Sequence, residues 1–127
     1  MEYLFVYGTL LRYFKNEVMQ SLKDSMEFIN HGELQGTLID LGDYPGLTED
    51  VSAHNVKGEV YRITDAGKVF ALLDEYEGEE YTRKQKWIRL NKKETIGCWV
   101  YVYQLKPNPE HKIIMNGDYL AFIRNKG

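Results

Sequence analysis

Cysteine is almost missing from this chain. A lone residue, Cys98, excludes an internal disulfide, so ordinary core packing has to hold the fold. Histidine is scarce as well: His31, His54 and His111 lie far apart and share no metal-ligand spacing with any acid or with Cys98. Each reads as a surface or loop residue, and no metal is expected. There is no glycine run of the kind that cradles phosphate and no serine at a nucleophile elbow. Cys98, between Gly97 and Trp99 with no histidine close in sequence, reads as a core thiol. Covalent and metal-assisted mechanisms therefore lack parts, and no cofactor is expected. Basic residues are not in excess either. The net charge is −3 with acids and bases interspersed, which leaves no footprint for nucleic acid or an anionic membrane. Uncharged apolar runs are too short to span a bilayer, and the sequence enters a strand with no basic leader or apolar signal core. A soluble, cytoplasmic protein with a small or neutral partner is the expectation.

What is present suits one domain over residues 1–127, long enough to bury a single core. Ten tyrosines raise the aromatic share and favour strands around a lined cavity. Tyr3 to Tyr7 reads as a central strand of continuous apolar character. Asn16 can cap a short helix carrying Val18, Met19 and Leu22, which frays near Lys23-Asp24-Ser25. Met26 to Leu41 is extended, with Gly32 and Gly36 where a strand would bulge or bend at a barrel corner. Asp43-Tyr44-Pro45-Gly46 is a turn signal, with Gly46 free to take a positive φ, and a polar loop follows to Asn55. Val56 to Ile63 alternates without a clean inside face.

Thr64 and Asp65 offer caps for a helix from Ala66 to Glu77 that Gly78 stops. Tyr81 to Leu90 and Thr95 to Gln104 form a hairpin around Asn91-Lys92-Lys93-Glu94. Pro107 and Pro109 end the sheet, and Asp118 caps a last helix to Arg124. The order is α+β: a small, mostly antiparallel curled sheet, barrel-like, with two to three short helices.

The helix Ala66 to Glu77 carries three carboxylates near its end, and at about 100° per residue they separate. Val69, Phe70, Leu72, Leu73 and Tyr76 spread over one broad apolar arc. Glu77 projects inside it, between Leu73 and Phe70, while Asp74 and Glu75 fall outside beside Ala71. In the last turn, unpaired carbonyls disfavour another anion, and burial penalises the charged form. Both push Glu77 toward the range where one residue serves as base and then acid. The same geometry also fits a frayed C-cap residue that bends to solvent or pairs with Arg83 or Lys84. The other odd feature is Phe5-Val6-Tyr7-Gly8-Thr9-Leu10, a buried strand broken at a glycine with little polar padding. It is either a tight bend or a loop shaped to hold something.

Five motifs in sequence carry a resemblance: Tyr7-Gly8-Thr9-Leu10; Gly42-Asp43-Tyr44-Pro45-Gly46-Leu47; Val56-Lys57-Gly58-Glu59-Val60-Tyr61; Leu73-Asp74-Glu75-Tyr76-Glu77-Gly78 followed by Tyr81-Thr82-Arg83; and Gly117-Asp118-Tyr119. The chain resembles the gamma-glutamylcyclotransferase-like superfamily, most closely its short AIG2-like branch, which includes gamma-glutamylamine cyclotransferase. The resemblance implies a small α+β barrel with a pocket beside the first-strand loop, where Tyr7, Gly8, Thr9 and Leu10 bind substrate through their backbone. It also implies that Glu77 is the acid/base residue. Such enzymes release 5-oxoproline from a γ-glutamyl compound and free the attached amine, without a cofactor. The α-amine closes on its own γ-carbonyl, so the protein supplies proton transfer and oxyanion donors but no nucleophile.

Around this frame, Tyr81 reads as a pocket wall or a core ring, and Arg83 as a structural ion partner. Tyr119 reads as a pocket residue or a cap of the last helix. Tyr44, in the Tyr44-Pro45-Gly46-Leu47 turn, reads as the other pocket lip or as a turn alone. Two other functions fit the same residues: a non-catalytic module that binds a small metabolite, and deprotection of a γ-glutamyl biosynthetic intermediate.

Overall fold

A computed structural model describes residues 1–49, 54–106 and 108–125. Eight strands and three α-helices follow in the order β1 (Glu2–Val6), α1 (Glu17–Ser21), β2 (Met26–Gln35), β3 (Thr37–Asp40), β4 (Pro45–Thr48), β5 (Asn55–Ile63), α2 (Ala66–Glu77), β6 (Tyr81–Arg89), β7 (Thr95–Tyr103), β8 (Lys112–Ile113) and α3 (Tyr119–Asn125). The chain also makes two 3-10 turns, Arg12–Phe14 and Lys23–Ser25. Strands β1, β5, β2, β6 and β7 close a barrel in that order, and β4, β3 and β8 form a second small sheet. Every pairing is antiparallel except β1 with β7, which closes the barrel in parallel at Leu4 and Trp99. The expected α+β curled sheet is therefore a closed five-stranded barrel with a three-stranded flap. The loop expected to reach Asn55 lies at residues 50–53 outside the described residues, as does Pro107.

Strand alternation explains why β1 and β5 lack a clean inside face. Phe5, Leu34, Val60, Ile88, Cys98 and Val100 belong to one core, which fills the barrel. Leu4, Val6, Tyr61, Ile63 and Tyr101 belong to a second core, packed against Val69, Phe70 and Leu73 of α2. A strand covered on both faces buries successive residues, so the period of two is hidden.

Several local readings need correction. The strand expected from Met26 to Leu41 is divided at Gly36, where the chain leaves the barrel for the second sheet. Its register shift falls between Phe28 and Asn30 and not at Gly32. The turn expected over Asp43 to Gly46 lies earlier. The Leu41 N–H donates to the Tyr44 carbonyl, Gly42 takes the positive φ of 108°, and Pro45 and Gly46 already belong to β4.

The helix caps follow the sequence more closely. Asn16 Oδ1 accepts from the N–H groups of Val18 and Met19, and Asp118 Oδ1 accepts from Ala121. Asp65 occupies the cap position of α2 in a left-handed conformation, φ 50°, but its side chain makes no capping bond. Gly78 ends α2 at φ 79°, as expected of a residue that can take that conformation. Among the described residues no helix is long and apolar enough to cross a membrane.

Candidate active site

The loop that leaves β1 and the end of α2 meet in a small cleft. Phe5, Val6, Tyr7, Gly8, Thr9 and Leu10 line one side, and Tyr44, Pro45, Glu77, Tyr81 and Tyr101 complete it. The cleft holds about 30 Å³, room for a water molecule or two. A much larger concavity of about 690 Å³ opens elsewhere, with His31, Glu59, Arg89 and Asp118 in its wall. Two of its charged side chains are paired, Arg89 with Glu33 and Glu59 with Arg12, and the carboxyl raised by burial, Glu77, lies outside it. Chemistry, not size, favours the small cleft.

Glu77 is partly buried at the last position of α2, and burial raises its carboxyl from the ordinary 4.5 to about 7. Among the described residues it has no ion pair. Arg83 turns to Asp74, donating from Nε to Oδ1 at 2.9 Å, and Lys84 turns to Glu49. The alternative pairing of Glu77 with Arg83 or Lys84 is thus not the one adopted. The apolar arc of α2 is narrower than the wheel indicates, because Leu72 is 37% and Tyr76 41% exposed while Val69, Phe70 and Leu73 are buried. Asp74 and Glu75 are exposed as expected.

On the opposite side, the bend after β1 is a turn closed by the Leu11 N–H on the Gly8 carbonyl at 3.0 Å. Among the described residues no group accepts the main-chain N–H of Gly8, Thr9 or Leu10. A glycine is required at position 8 by close approach and not by an unusual φ. A Cβ there would stand 2.6 Å from Cγ of Pro45.

The Thr9 hydroxyl lies 3.4 Å from the Tyr76 hydroxyl, which also receives a hydrogen bond from Asn16 Nδ2 at 2.8 Å. The side chain of Tyr7 points inward. Its hydroxyl donates to the Tyr101 carbonyl at 2.6 Å and accepts from the Leu47 N–H at 3.3 Å. Burial, then the nearby Glu77 charge, raises the Tyr7 phenol far above its ordinary range. Leu10 is buried in the core beneath α2.

Tyr81 and Tyr44 form the rest of the rim. The Tyr81 hydroxyl donates to the Pro45 carbonyl at 2.8 Å, and its ring packs between Tyr44 and Tyr103. Tyr44 donates to Glu80 at 2.8 Å. Tyr81 is raised by burial, then by Tyr7 and Glu77. Tyr101 is raised by burial and its bond to Asp74, with Glu77 a smaller contributor. Neutral phenols therefore ring the one titratable acid of the cleft.

Tyr119 is the exception among the site residues read from sequence. It lies outside the cleft, 3% exposed, against Phe14 and Phe122 in the barrel core. The Gly117-Asp118-Tyr119 motif is a docking element instead, with the Gly117 carbonyl accepting from Lys57 N–H at 2.8 Å.

Pro45 enters the cleft through the turn read from sequence as its other lip, whereas Tyr101 is a cleft residue that the sequence did not single out. Tyr101 faces Arg83 across the β6–β7 hairpin, so the turn at Asn91 to Glu94 carried the signal through its register. Cys98 is buried and its thiol is pushed up to about 12 by burial, as suits a core residue. Among the described residues no group of three or more His, Cys, Asp or Glu is arranged to hold a metal.

The model of one protein family, described as gamma-glutamyl cyclotransferase, AIG2-like, matches residues 4–121. The chain belongs to this family. A protein of Methanocaldococcus jannaschii, provisionally named a gamma-glutamylcyclotransferase, is 32% identical over 122 residues that cover 94% of this chain and 96% of that one. A mouse AIG2-like protein known from a crystal structure is 27% identical, with a TM-score of 0.73 over 87% of this chain and 81% of its own. An Escherichia coli protein solved by NMR in solution is 30% identical, with a TM-score of 0.63 over 95% and 98% of the two chains. The AIG2-like family match spans every residue of the cleft, from Phe5 to Tyr101. The family is one of gamma-glutamyl cyclotransferases, so the cleft is to be judged by whether it suits a small γ-glutamyl substrate.

Proposed function

We propose that this protein is a cyclotransferase acting on γ-glutamylamines, releasing 5-oxoproline and a free amine, with Glu77 as the proton-transfer residue. One observation carries the reading. A carboxyl group raised to about 7 by burial, with no cationic partner among the described residues, shares a cleft with the uncommitted N–H groups of Gly8, Thr9 and Leu10.

The reaction needs just those parts. The substrate's α-amine is its own nucleophile and closes a five-membered ring on the carbonyl carbon it attacks, so the step is intramolecular. Glu77 takes a proton from the ammonium group, and the new C–N bond forms as the γ-carbonyl oxygen gains charge. Main-chain donors at the Gly8–Leu10 bend stabilise that oxygen. Glu77 returns that proton to the departing nitrogen and takes the second proton from the ring nitrogen; the bond to the amine breaks as the carbonyl re-forms, and the second proton passes from Glu77 to the freed amine, which leaves as an ammonium ion. Atoms and charge balance without any other reactant.

The choice of amine over amino acid as leaving group rests on charge. Among the described residues lining the cleft, none is Lys or Arg. A departing amino acid brings a carboxylate that such walls leave unpaired, whereas a simple amine does not.

The test is incubation with γ-glutamylamines and γ-glutamyl amino acids, with 5-oxoproline detected by mass. Wild type is expected to turn over the amines with the higher kcat/KM. Glu77→Gln is expected to lose roughly 10²- to 10⁴-fold in rate with the fold retained. Saturable binding without any 5-oxoproline from the wild type overturns the reading and leaves a binding module in its place.

A further inference from the structure

The Val56-Lys57-Gly58-Glu59-Val60-Tyr61 motif contributes nothing to the cleft, yet it contains the single buried carboxylate of the described core. Glu59 is 8% exposed. Its placement on β5 is specific: it pairs with Val6, the last residue of β1, so it stands beside the point where the chain departs into the Gly8–Leu11 bend. Gly58 brings the two strands unusually close there, since a Cβ on it would meet the Val6 carbonyl oxygen at 2.2 Å and Phe5 Cζ at 2.6 Å.

The carboxylate is occupied from three directions. The main-chain N–H of Arg12 donates to Oε1 at 3.0 Å, Arg12 Nε to Oε2 at 3.4 Å, and the Tyr61 hydroxyl to Oε1 at 3.2 Å. Arg12 is the first residue beyond the bend, opening the 3-10 turn. The bend is thus held at one end by strand pairing of Val6 and at the other by a charge-assisted bond to the residue that pairs with Val6. A loop anchored at both ends to one strand has little freedom to rotate its peptide planes.

We propose that Glu59 is the positioning residue of the binding loop: through the Arg12 N–H it fixes the direction in which Gly8, Thr9 and Leu10 aim their main-chain donors. The inference rests on the proposed reaction only for its kinetic readout. It assigns Glu59 no contact with substrate, for it does not line the cleft. The main-chain bond carries the effect, and the guanidinium adds little because the Arg12 side chain is 51% exposed.

Four variants separate these contributions. Arg12→Pro deletes the main-chain donor together with the side chain, at a place that accepts proline because residue 12 opens the 3-10 turn and Leu11 before it is extended at ψ 147°, so its difference from Arg12→Ala reads the donor alone. Arg12→Ala keeps the N–H and deletes the ion pair with the stacking of the guanidinium on Phe28. Glu59→Gln keeps an acceptor for the N–H, and Glu59→Leu keeps the bulk without one. The expected pattern in 5-oxoproline release is a kcat loss of about tenfold or more for Arg12→Pro and Glu59→Leu, with KM changed less than kcat. For Arg12→Ala and Glu59→Gln the expected loss is about threefold or less.

The Glu59→Leu, Arg12→Pro double variant should be no worse than either single one, since both break the same bond. Independently of activity, amide hydrogen exchange in Arg12→Pro should quicken at Leu11, whose N–H closes the bend on the Gly8 carbonyl, while β5 and β7 amides stay protected. If wild type shows no turnover, the proposed reaction fails and the exchange pattern alone decides the positioning role. Unchanged exchange at the bend in Arg12→Pro, or equal kcat losses in Arg12→Ala and Arg12→Pro, overturns the inference.

Discussion

Burial holds the Glu77 carboxyl near 7, and a base must be ionised before it can accept a proton. The free enzyme should therefore gain kcat/KM as pH rises, through an acid limb with an apparent pKa of about 7, falling roughly tenfold per unit below it. A profile of 5-oxoproline release from about pH 5 to about pH 9 measures this limb directly. A limb near 4.5, the ordinary glutamate value, would place the carboxyl in bulk water and remove the physical basis for its role. Gly8 supplies a second residue-scale prediction. The Cβ of Gly8→Ala meets the Pro45 ring at 2.6 Å, and Pro45 is itself buried in β4 with its carbonyl held by Tyr81. Neither side yields easily, so Gly8→Ala should cost about 1–3 kcal/mol of stability by chemical denaturation. It should lower kcat more than KM, because the bend moves as a whole.

At the scale of elements, α2 and the β6–β7 hairpin share one interaction that keeps Glu77 free of a cation. The Arg83 guanidinium lies 4.2 Å from the Phe70 ring and 4.4 Å from the Trp99 ring, and it is paired with Asp74 on the exposed side of α2. Burial pushes the Asp74 carboxyl up, but hydrogen bonds from Arg83 and Tyr101 outweigh it and hold the group below its ordinary value. Arg83 is thus a packing residue. Arg83→Ala should lower stability by roughly 1–2 kcal/mol, chiefly through the lost ring contacts, while kcat stays within about threefold of wild type. A tenfold loss of kcat at unchanged stability would instead assign Arg83 to the reaction.

The same elements show what the sequence disclosed. Both long local patterns, Ala66 to Glu77 and the hairpin after it, were legible because helix periodicity and turn chemistry act within a few residues. Glu77 was legible for that reason, from its rotation relative to Leu73. The burial of β5 on both faces, the sheet switch at Gly36 and the departure of Tyr119 from the cleft were not. Each depends on which distant strand arrives as neighbour, and no local period records that. Tyr76 shows the intermediate case. Its place on the helix was right, but the loop it meets through Thr9 and Asn16 leaves the ring 41% exposed.

For the whole molecule, the same raised carboxyl that suits catalysis acts against folding above neutral pH. In the unfolded chain Glu77 titrates at about its ordinary 4.5, and in the folded protein at about 7. Below 4.5 both states hold the proton and the group contributes no difference. Between 4.5 and 7 only the folded state keeps it, so the folded protein binds more protons and stability falls as pH rises. Above 7 both states are ionised and the penalty is complete, at most about 3 kcal/mol and smaller to the extent that water reaches the partly buried group.

Asp74 and Glu49 act in the opposite sense. Their carboxyls lie below the ordinary range, Glu49 through hydrogen bonds from Lys84 and Lys86, so their contributions are present at neutral pH and fade only in acid. Urea unfolding of wild type and Glu77→Gln across this range isolates the one group. The two proteins should converge near pH 4.5. By pH 8 the variant should be the more stable, by roughly 1–3 kcal/mol, because a neutral amide carries no desolvated charge. A variant equally stable, or less stable, at the alkaline end would mean that the ionised carboxylate is well solvated in the folded protein. The proton shuttle would then lose its base.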